Sequence, residues 1–148
     1  MIIALGSDHG GFQLKEEIKG HLTAIGMEFR DFWTLDGASC DYPDIAEVVA
    51  KAVASGEYDR GLLFCGTGIG ISIAANKVKG IRAACCSDCF SAKYTRLHND
   101  ANILCLGGRV VGPGLATEMV DLFLETKFEG GRHEGRIDKI RKIEENEM

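Results

Sequence analysis

Short apolar runs alternate with helical patterns along nearly the whole chain, and this alternation limits the fold more than any other feature. Each run is too short for a stable helix and precedes residues whose apolar positions recur every three or four places. The expected strands lie at residues 2–5, 27–32, 61–65, 81–86 and 102–106. Strand–helix units in this succession predict a parallel sheet with helices on both faces. The expected fold is a three-layer, Rossmann-like α/β sandwich with the strand order 2-1-3-4-5.

Size, charge and hydropathy narrow the class of protein. The chain has 148 residues, which predicts one domain over residues 1–148 because domains commonly hold ~100–150 residues. A formal net charge of −5 argues against a broad nucleic-acid surface. No apolar run approaches the ~20 residues needed to cross a bilayer, and the first residues lack the basic start of an export signal. We therefore expect a cytoplasmic protein that binds neither nucleic acid nor membrane.

The final helical pattern, residues 132–145, differs from the others. Ile137, Ile140 and Ile143 form a narrow apolar stripe among charged residues. A helix this polar gains little from packing on its own domain, so we expect it to reach a second subunit. A frayed surface helix is the alternative interpretation.

A thiol and a glycine-rich turn stand together at the end of the third expected strand. Cys65 ends the apolar run, and the loop after it consists of Gly66, Thr67, Gly68, Ile69 and Gly70. Backbone N–H groups of such a turn converge on one point, and the following helix adds positive partial charge there. This pattern predicts a thiol biased towards thiolate, usable as a base or nucleophile, beside an oxyanion cradle. A buried strand cysteine followed by a plain tight turn is the alternative.

Polar residues also follow the first and fifth expected strands. Ligands of open parallel sheets bind beyond the carboxyl ends of the strands, where Asp8, His9 and Arg109 are expected. Asp8 suits proton relay between oxygens, and His9 and Arg109 suit an anion. A cap and a surface imidazole are the simpler interpretation of Asp8 and His9. Two other histidines, His21 and His133, carry weaker signals.

Two further pairs suit acid–base chemistry on a phosphate-bearing ligand. His98 and Asn99 close the fourth expected helix, where a histidine serves either as a favourable cation or as an acid–base group. Arg132 and Arg136 are four residues apart, so they share one helical face and can clamp a phosphate. A solvated charged face is the more common role of such an arginine pair.

The cysteines are expected to be free thiols, since a chain without an export signal remains in a reducing compartment. Cys85, Cys86 and Cys105 fall in apolar runs and are interpreted as buried strand residues. Cys86 and Cys89 form a C-x-x-C motif. One such pair, without a second pair at a suitable spacing, is weak evidence for zinc or for a redox role.

Several motifs in combination resemble a known family. They are Ser7-Asp8-His9-Gly10-Gly11, Asp41-Tyr42-Pro43-Asp44, Cys65-Gly66-Thr67-Gly68-Ile69-Gly70, Gly80-Ile81-Arg82-Ala83-Ala84, His98-Asn99-Asp100-Ala101-Asn102, Gly107-Gly108-Arg109 and Glu129-Gly130-Gly131-Arg132-His133. The chain resembles, over essentially its whole length, the ribose-5-phosphate isomerase B family, which also holds the galactose-6-phosphate isomerase subunits. The resemblance implies interconversion of ribose 5-phosphate and ribulose 5-phosphate, in the pentose phosphate pathway, without metal or organic cofactor. It also implies a homodimer or a dimer of dimers whose active sites are shared between subunits.

The resemblance also implies roles for individual residues. Cys65 would be the base, since the helix after the loop lacks the glutamate that some relatives use. His98 would open the sugar ring, and Asp8 would shuttle hydroxyl protons. The enediolate oxygen would be held by the backbone of Gly66, Thr67, Gly68, Ile69 and Gly70, with Thr67 assisting. The phosphate and sugar would be bound by His9, Tyr42, Asn99, Arg109, Arg132 and Arg136.

Other functions remain open from the residues alone. A hexose 6-phosphate isomerase of the same family, acting on allose or galactose 6-phosphate, would use the same proton transfer with one more carbon to accommodate. A noncatalytic, flavodoxin-like binding module, for instance for a nucleotide, is the alternative from another class. Zinc or redox use of Cys86 and Cys89 is the third.

Overall fold

The computed structural model describes residues 1–32 and 37–147. Strands and helices alternate as the sequence predicts, and a sixth helix follows the fifth without an intervening strand. The strands are β1 (Ile2–Ser7), β2 (Glu28–Asp31), β3 (Arg60–Cys65), β4 (Ala83–Cys85) and β5 (Ile103–Gly107). The helices are α1 (Phe12–Ala24), α2 (Tyr42–Ala54), α3 (Ile69–Ala75), α4 (Cys89–Asn99), α5 (Pro113–Glu125) and α6 (Arg132–Glu147).

All of the strands pair in parallel in one sheet, which confirms the predicted class. The predicted strand order 2-1-3-4-5 is wrong, because the order is β2-β1-β3-β5-β4. Strand β5 is buried at every residue, whereas the three residues of β4 are only partly buried or exposed. The continuously apolar strand therefore occupies the interior of the sheet, and the short alanine-rich strand takes the edge.

Helices cover both faces of the sheet, as predicted. On one face, α1 and α5 pack Ile18, Leu22 and Phe123 into a cluster with Phe64 and Leu106. On the other face, a second cluster joins α2 and α3 to the opposite side of the same strands; its helical members include Ile45, Val49, Val53, Ile71 and Ala75. Burial of this much apolar side chain on both faces holds the strand ends, and hence the loops that follow them, in place.

The two edges of the sheet carry different parts of the chain. The loops after β1, β3 and β5 meet at the carboxyl edge, where the strands end. Helix α4 begins there, and its N-cap Asp88 accepts a hydrogen bond from Ser91 N at 2.7 Å. The helix then runs back, and at its far end Arg82 Nε donates to Asn99 O at 2.9 Å. Because Arg82 directly precedes β4, the end of α4 lies at the amino edge of the sheet.

Helix α6 only partly fits the expected outward stripe. Ile137 is 1% exposed and thus packs within its own chain, whereas Ile140 and Ile143 are 46% and 63% exposed. Gly80 N donates to Glu144 Oε1 at 2.9 Å and ties the helix to the loop before β4. Within the described residues, no helix is both long and apolar enough to cross a membrane.

Candidate active site

Three loops are hydrogen-bonded to one another at the carboxyl edge. Gly108 N donates to Cys65 O at 2.8 Å, and Arg109 N donates to Gly66 O at 3.0 Å. The loop after β1 lies against the same segment, since a Cβ on Gly10 would stand 3.0 Å from Gly66 N. A side chain at this residue would crowd the backbone of Gly66, so the close approach favours glycine. The expected meeting of the Asp8, Cys65 and Arg109 loops is therefore present in the structure.

The Cys65 thiol lies at the centre of this junction. The residue ends β3 and is 4% exposed, so the sulfur is nearly enclosed. Gly68 N donates a hydrogen bond to Cys65 Sγ at 3.1 Å. Gly68 is the N-cap of α3 and has a φ of 81°, a left-handed conformation that favours glycine. Backbone conformation thus aims an N–H group at the sulfur, where it stabilises negative charge.

Two side chains in and after the glycine loop form hydrogen bonds with the backbone of the same segment. Ile69 N donates to Thr67 Oγ1 at 3.1 Å, and Ser72 Oγ donates to Ile69 O at 2.7 Å. Both side chains therefore bond to the backbone of their own segment, and neither caps the N-terminus of α3. Thr67 itself is exposed at the mouth of the loop, so this bond leaves its side chain within reach of a ligand.

Tyr42 reaches the same loop from the start of α2. A Cβ on Gly70 would stand 2.7 Å from Tyr42 Cζ and 3.0 Å from the Tyr42 hydroxyl oxygen. The ring therefore lies directly on the backbone of Gly70, while 39% of the tyrosine remains exposed. Pro43 occupies the first turn of α2, where its fixed φ suits the start of a helix.

Asp8 and His9 form another wall of the junction. Asp8 is 7% exposed, and its Oδ1 accepts a hydrogen bond from Gly11 N at 3.1 Å. His9 is exposed, and its Nδ1 accepts from Cys40 N at 3.4 Å. Asp8 thus acts as a turn cap, as the simpler interpretation held, and it also stands beside the glycine loop.

The remaining predicted site residues do not join this group within one chain. His98 and Asn99 end α4 at the amino edge, and the exposed Arg132 and Arg136 begin α6. A strand of five residues such as β5 spans about 16 Å, which separates the amino edge from the carboxyl edge. The structure therefore divides the predicted site residues into a Cys65 group and a His98 group.

The His98 group contains two residues that the sequence analysis did not assign to a site. The ring of His133 stacks on the ring of His98 with centroids 4.2 Å apart and planes 13° apart. Glu129 Oε2 lies 3.9 Å from His98 Nε2. Burial, together with the neighbouring His98, lowers the pKa of His133. The motif Glu129-Gly130-Gly131-Arg132-His133 was the available signal, but the partners of its histidine are distant in sequence.

The other cysteines differ from Cys65 in environment. Cys86 and Cys105 are buried as expected, and burial raises the pKa of Cys86 to about 12. Cys85 is exposed rather than buried, because β4 lies at the sheet edge. Among residues 1–32 and 37–147, the one His, Cys, Asp or Glu group with metal-compatible spacing is His98, Glu129 and His133. The C-x-x-C pair Cys86 and Cys89 therefore has no third ligand in the described part of the chain.

The chain is similar to known proteins in both sequence and structure. The sequence model of the Ribose/Galactose Isomerase family matches residues 3–140. Ribose-5-phosphate isomerase B of Escherichia coli (strain K12) is 53% identical, over 97% of this chain and 96% of that protein. The structure of ribose-5-phosphate isomerase B from Clostridium thermocellum is 55% identical, covers both chains completely and superposes with a TM-score of 0.98.

A structure with a bound ligand is also similar. Ribose-5-phosphate isomerase B from Mycoplasma genitalium, with bound ribulose 5-phosphate, is 44% identical and has a TM-score of 0.92. The match covers 97% of this chain and 96% of that one. Since the family model spans residues 3–140 and the similarity extends over both sequence and structure, the chain belongs to the Ribose/Galactose Isomerase family.

Proposed function

We propose that this isomerase interconverts D-ribose 5-phosphate and D-ribulose 5-phosphate through a cis-enediolate. The observation that carries the proposal is the hydrogen bond from Gly68 N to Cys65 Sγ at 3.1 Å. It provides a thiol and a donor for its negative charge at the carboxyl edge, where ligands of such sheets bind. Relatives of the same family that are named ribose-5-phosphate isomerase B support the choice of substrate.

Cys65 is the proposed base. Its thiolate takes the proton from C2 of the aldose, and the C–H electron pair forms the enediolate double bond as the carbonyl oxygen gains negative charge. The thiol then returns the proton to C1 to give the ketose. A positioned acid–base group accelerates such a transfer by about 10²–10⁴-fold. The limited exposure of Cys65 keeps water away from the sulfur.

The enediolate oxygen is held by the glycine loop. Gly68 N and Ile69 N are engaged with Cys65 and Thr67. The stabilising role therefore falls mainly on the amides of Gly66, Thr67 and Gly70. One such donor contributes about 10²–10³-fold to the rate. Asp8, with one oxygen on Gly11 N, moves protons between the substrate hydroxyls through its other oxygen, and Tyr42, His9 and Arg109 line the site.

The His98 group completes the site of a second subunit. We infer a homodimer, or a dimer of such dimers, in which the amino edge of one chain meets the carboxyl edge of the other. Exposed apolar side chains support this pairing, because Ile69, Ile73, Phe90 and Val110 flank the carboxyl edge at 55%, 57%, 69% and 59% exposure. A two-fold axis would then form two equivalent sites.

Across that interface, His98 protonates the ring oxygen and opens the furanose. Arg132 and Arg136, together with His9 of the Cys65 group, bind the phosphate, and Asn99 binds the sugar. The phosphate supplies binding energy that orients the reacting carbons. In this proposal, residues 1–148 act as one cytoplasmic isomerase domain of the pentose phosphate pathway, without a required metal or organic cofactor.

A side-by-side assay tests the substrate. The purified chain should convert ribose 5-phosphate with a higher kcat/KM than allose 6-phosphate or galactose 6-phosphate. Turnover of a hexose phosphate alone would reject the pentose assignment. A thermal shift with nucleotides, combined with no turnover of any sugar phosphate, would instead favour a binding module.

A further inference from the structure

His98, Glu129 and His133 form a cluster that the proposed isomerisation does not use as a unit. The cluster joins the last turn of α4, the loop before α6 and the first turn of α6. One ligand atom from each residue lies within 4.8 Å of the other two. The distance from His98 Nε2 to Glu129 Oε2 is 3.9 Å.

The backbone holds these side chains near one another. Glu129 N donates to Leu97 O at 3.1 Å, which fixes the loop against the last turn of α4. His133 N donates to Gly130 O at 3.2 Å and closes the turn that begins α6. His133 is 5% exposed and is therefore anchored, whereas His98 is partly exposed and Glu129 is exposed. Two more exposed side chains thus lie next to one buried side chain, and His98 is stacked on it.

Two imidazoles and one carboxylate are ligands that divalent transition metals prefer. Around a tetrahedral Zn²⁺ with bonds of about 2.0–2.1 Å, the ligand atoms stand about 3.3 Å apart. The three atoms, which lie within 4.8 Å of one another, therefore need to close by up to about 1.5 Å. Because an imidazole binds a metal in the plane of its ring, His98 must also rotate out of its stack on His133; a change of side-chain rotamer provides both movements. In a single chain, the partial exposure of His98 and the exposure of Glu129 leave the remaining positions of the ion open.

Positively charged side chains near the cluster influence which metal ion it can bind. Arg132 and Arg136 act on His133 electrostatically, and their positive charges oppose a bare cation. Glu129 offsets one of these charges, and an anion or hydroxide in the open position offsets the other. A borderline metal with strong bonds to imidazole overcomes this repulsion better than Mg²⁺ or Ca²⁺, which bind imidazole weakly.

We propose that His98, Glu129 and His133 bind a divalent transition-metal ion of the Zn²⁺ and Co²⁺ class. An ion held there occupies His98, so it inhibits isomerisation; this consequence rests on the proposed function of His98. The ion is a ligand of the resting protein and takes no part in the proton transfer.

Titration of the full-length, metal-free protein with Co²⁺ tests the binding, because its visible spectrum reports the ligands directly. We expect saturable d–d absorption without the near-ultraviolet charge-transfer band of a cobalt–thiolate bond. Glu129→Gln and His133→Ala should each weaken Co²⁺ binding by about tenfold or more. His21→Ala removes a histidine that pairs with Asp121 at 2.7 Å and should leave the titration unchanged.

The Glu129→Gln variant should fold normally, because Glu129 is exposed and glutamine has nearly the same size as glutamate. A thiolate band, or equal Co²⁺ affinity of Glu129→Gln and the unchanged chain, would overturn the metal site. Zn²⁺ should inhibit turnover of the unchanged chain at concentrations about tenfold lower than those that inhibit Glu129→Gln. Equal inhibition of both proteins would overturn the inhibitory role and would indicate that Zn²⁺ binds Cys65 instead. The Co²⁺ titration tests the metal site independently of this result.

Discussion

Gly68 donates its backbone N–H to Cys65 Sγ at 3.1 Å, and Cys65 lies three residues upstream at the end of β3. Gly68 adopts a φ of 81° at the N-cap of α3, a left-handed conformation that turns the chain from the loop into the helix. A Cβ at this residue would also stand 2.9 Å from the carbonyl carbon of Leu106. Gly68 therefore maintains both the hydrogen bond to the Cys65 sulfur and the close approach of its loop to β5.

Replacement of Gly68 by alanine should lower both activity and stability. The added Cβ meets backbone of β5 and strains the left-handed conformation, at a cost of about 1–3 kcal/mol. Displacement of the N–H from Cys65 should lower kcat by about 10–10³-fold. Steady-state kinetics with ribose 5-phosphate and urea unfolding measure the two effects.

Gly80→Ala is the matched control for Gly68→Ala. Gly80 has a φ of 90°, but the nearest atom to its added Cβ is the Ala54 Cβ at 3.9 Å. This variant carries the same kind of backbone strain away from the site, so it should lose stability and retain kcat. An equal loss of kcat in the two variants would show that Gly68 acts through stability alone.

Replacement of Cys65 by alanine should reduce kcat by at least about 10²–10⁴-fold, because Cys65 is the proposed base for both proton transfers at carbon. Affinity for the substrate should persist, since the phosphate contacts are untouched. Kinetics give the first quantity, and a thermal shift with ribose 5-phosphate gives the second. Cys85→Ala is the matched control, because Cys85 Sγ lies 3.8 Å from Thr67 O on the outer side of the same loop. Full turnover by Cys65→Ala would reject the thiol as base.

Contact between Tyr42 and Gly70 should appear as a coupling in a double-mutant cycle. Gly70→Ala drives a Cβ to 2.7 Å from Tyr42 Cζ and should destabilise the protein by about 1–3 kcal/mol. Tyr42→Ala removes the obstructing ring, so Gly70→Ala should cost less in that background. Urea unfolding of the four proteins measures the coupling. Strictly additive effects would mean that the ring moves aside without cost.

Mixing two inactive variants tests whether sites are shared. Cys65→Ala disables the Cys65 group of a chain, and His98→Asn disables its His98 group. In mixed dimers one of the two sites receives both intact groups. Random pairing should therefore restore about one quarter of the activity of the unchanged protein. The measurement is turnover after the two variants are unfolded together and refolded. No recovery above the two separate variants, with mixed dimers demonstrated, would place both groups of a site in one chain.

Stability should decline between about pH 9 and pH 12 because of Cys86. Its thiol has an ordinary pKa of 9.0, and burial raises that pKa to about 12 in the folded chain. In this window the unfolded chain has released a proton that the folded chain retains, so rising pH favours unfolding. Urea unfolding at several pH values, under reducing conditions, should give a shallower decline for Cys86→Ala. Identical slopes would assign the decline to lysines, tyrosines or other thiols.

The carboxyl-edge half of the site could be predicted because its signals are local. A glycine turn directly after Cys65 and an Asp-His pair directly after β1 place these residues beyond strand ends, whatever the order of the strands. Pro43 likewise marks the start of α2 and brings Tyr42 with it. Local sequence was enough here because each of these residues lies within a few positions of its strand or helix terminus.

The contacts within the His98 group could not be predicted from local sequence signals. His98 and Asn99 were expected at a helix terminus, and they lie there. The stacked contact with His133, at 4.2 Å between centroids, joins two helices separated by a whole strand and helix in sequence. Periodicity reports the face of one helix, and it carries no information about which distant side chain covers that face. Burial of His133 was missed for this reason. Exposure of Cys85 was missed because the expected order 2-1-3-4-5 placed β4 inside the sheet and not at its edge.

The alternation of apolar runs and helical patterns by itself determined a parallel sheet covered on both faces, since right-handed crossovers return each strand to the same direction. It also determined that Asp8, Cys65 and Arg109 share one edge. Tertiary structure alone decided that β5 lies between β3 and β4, because that order buries the whole of β5 and leaves the short β4 at the edge. It likewise decided that Cys65 and His98 stand at opposite edges of one chain, since α4 must run the length of the sheet to return the chain to β5.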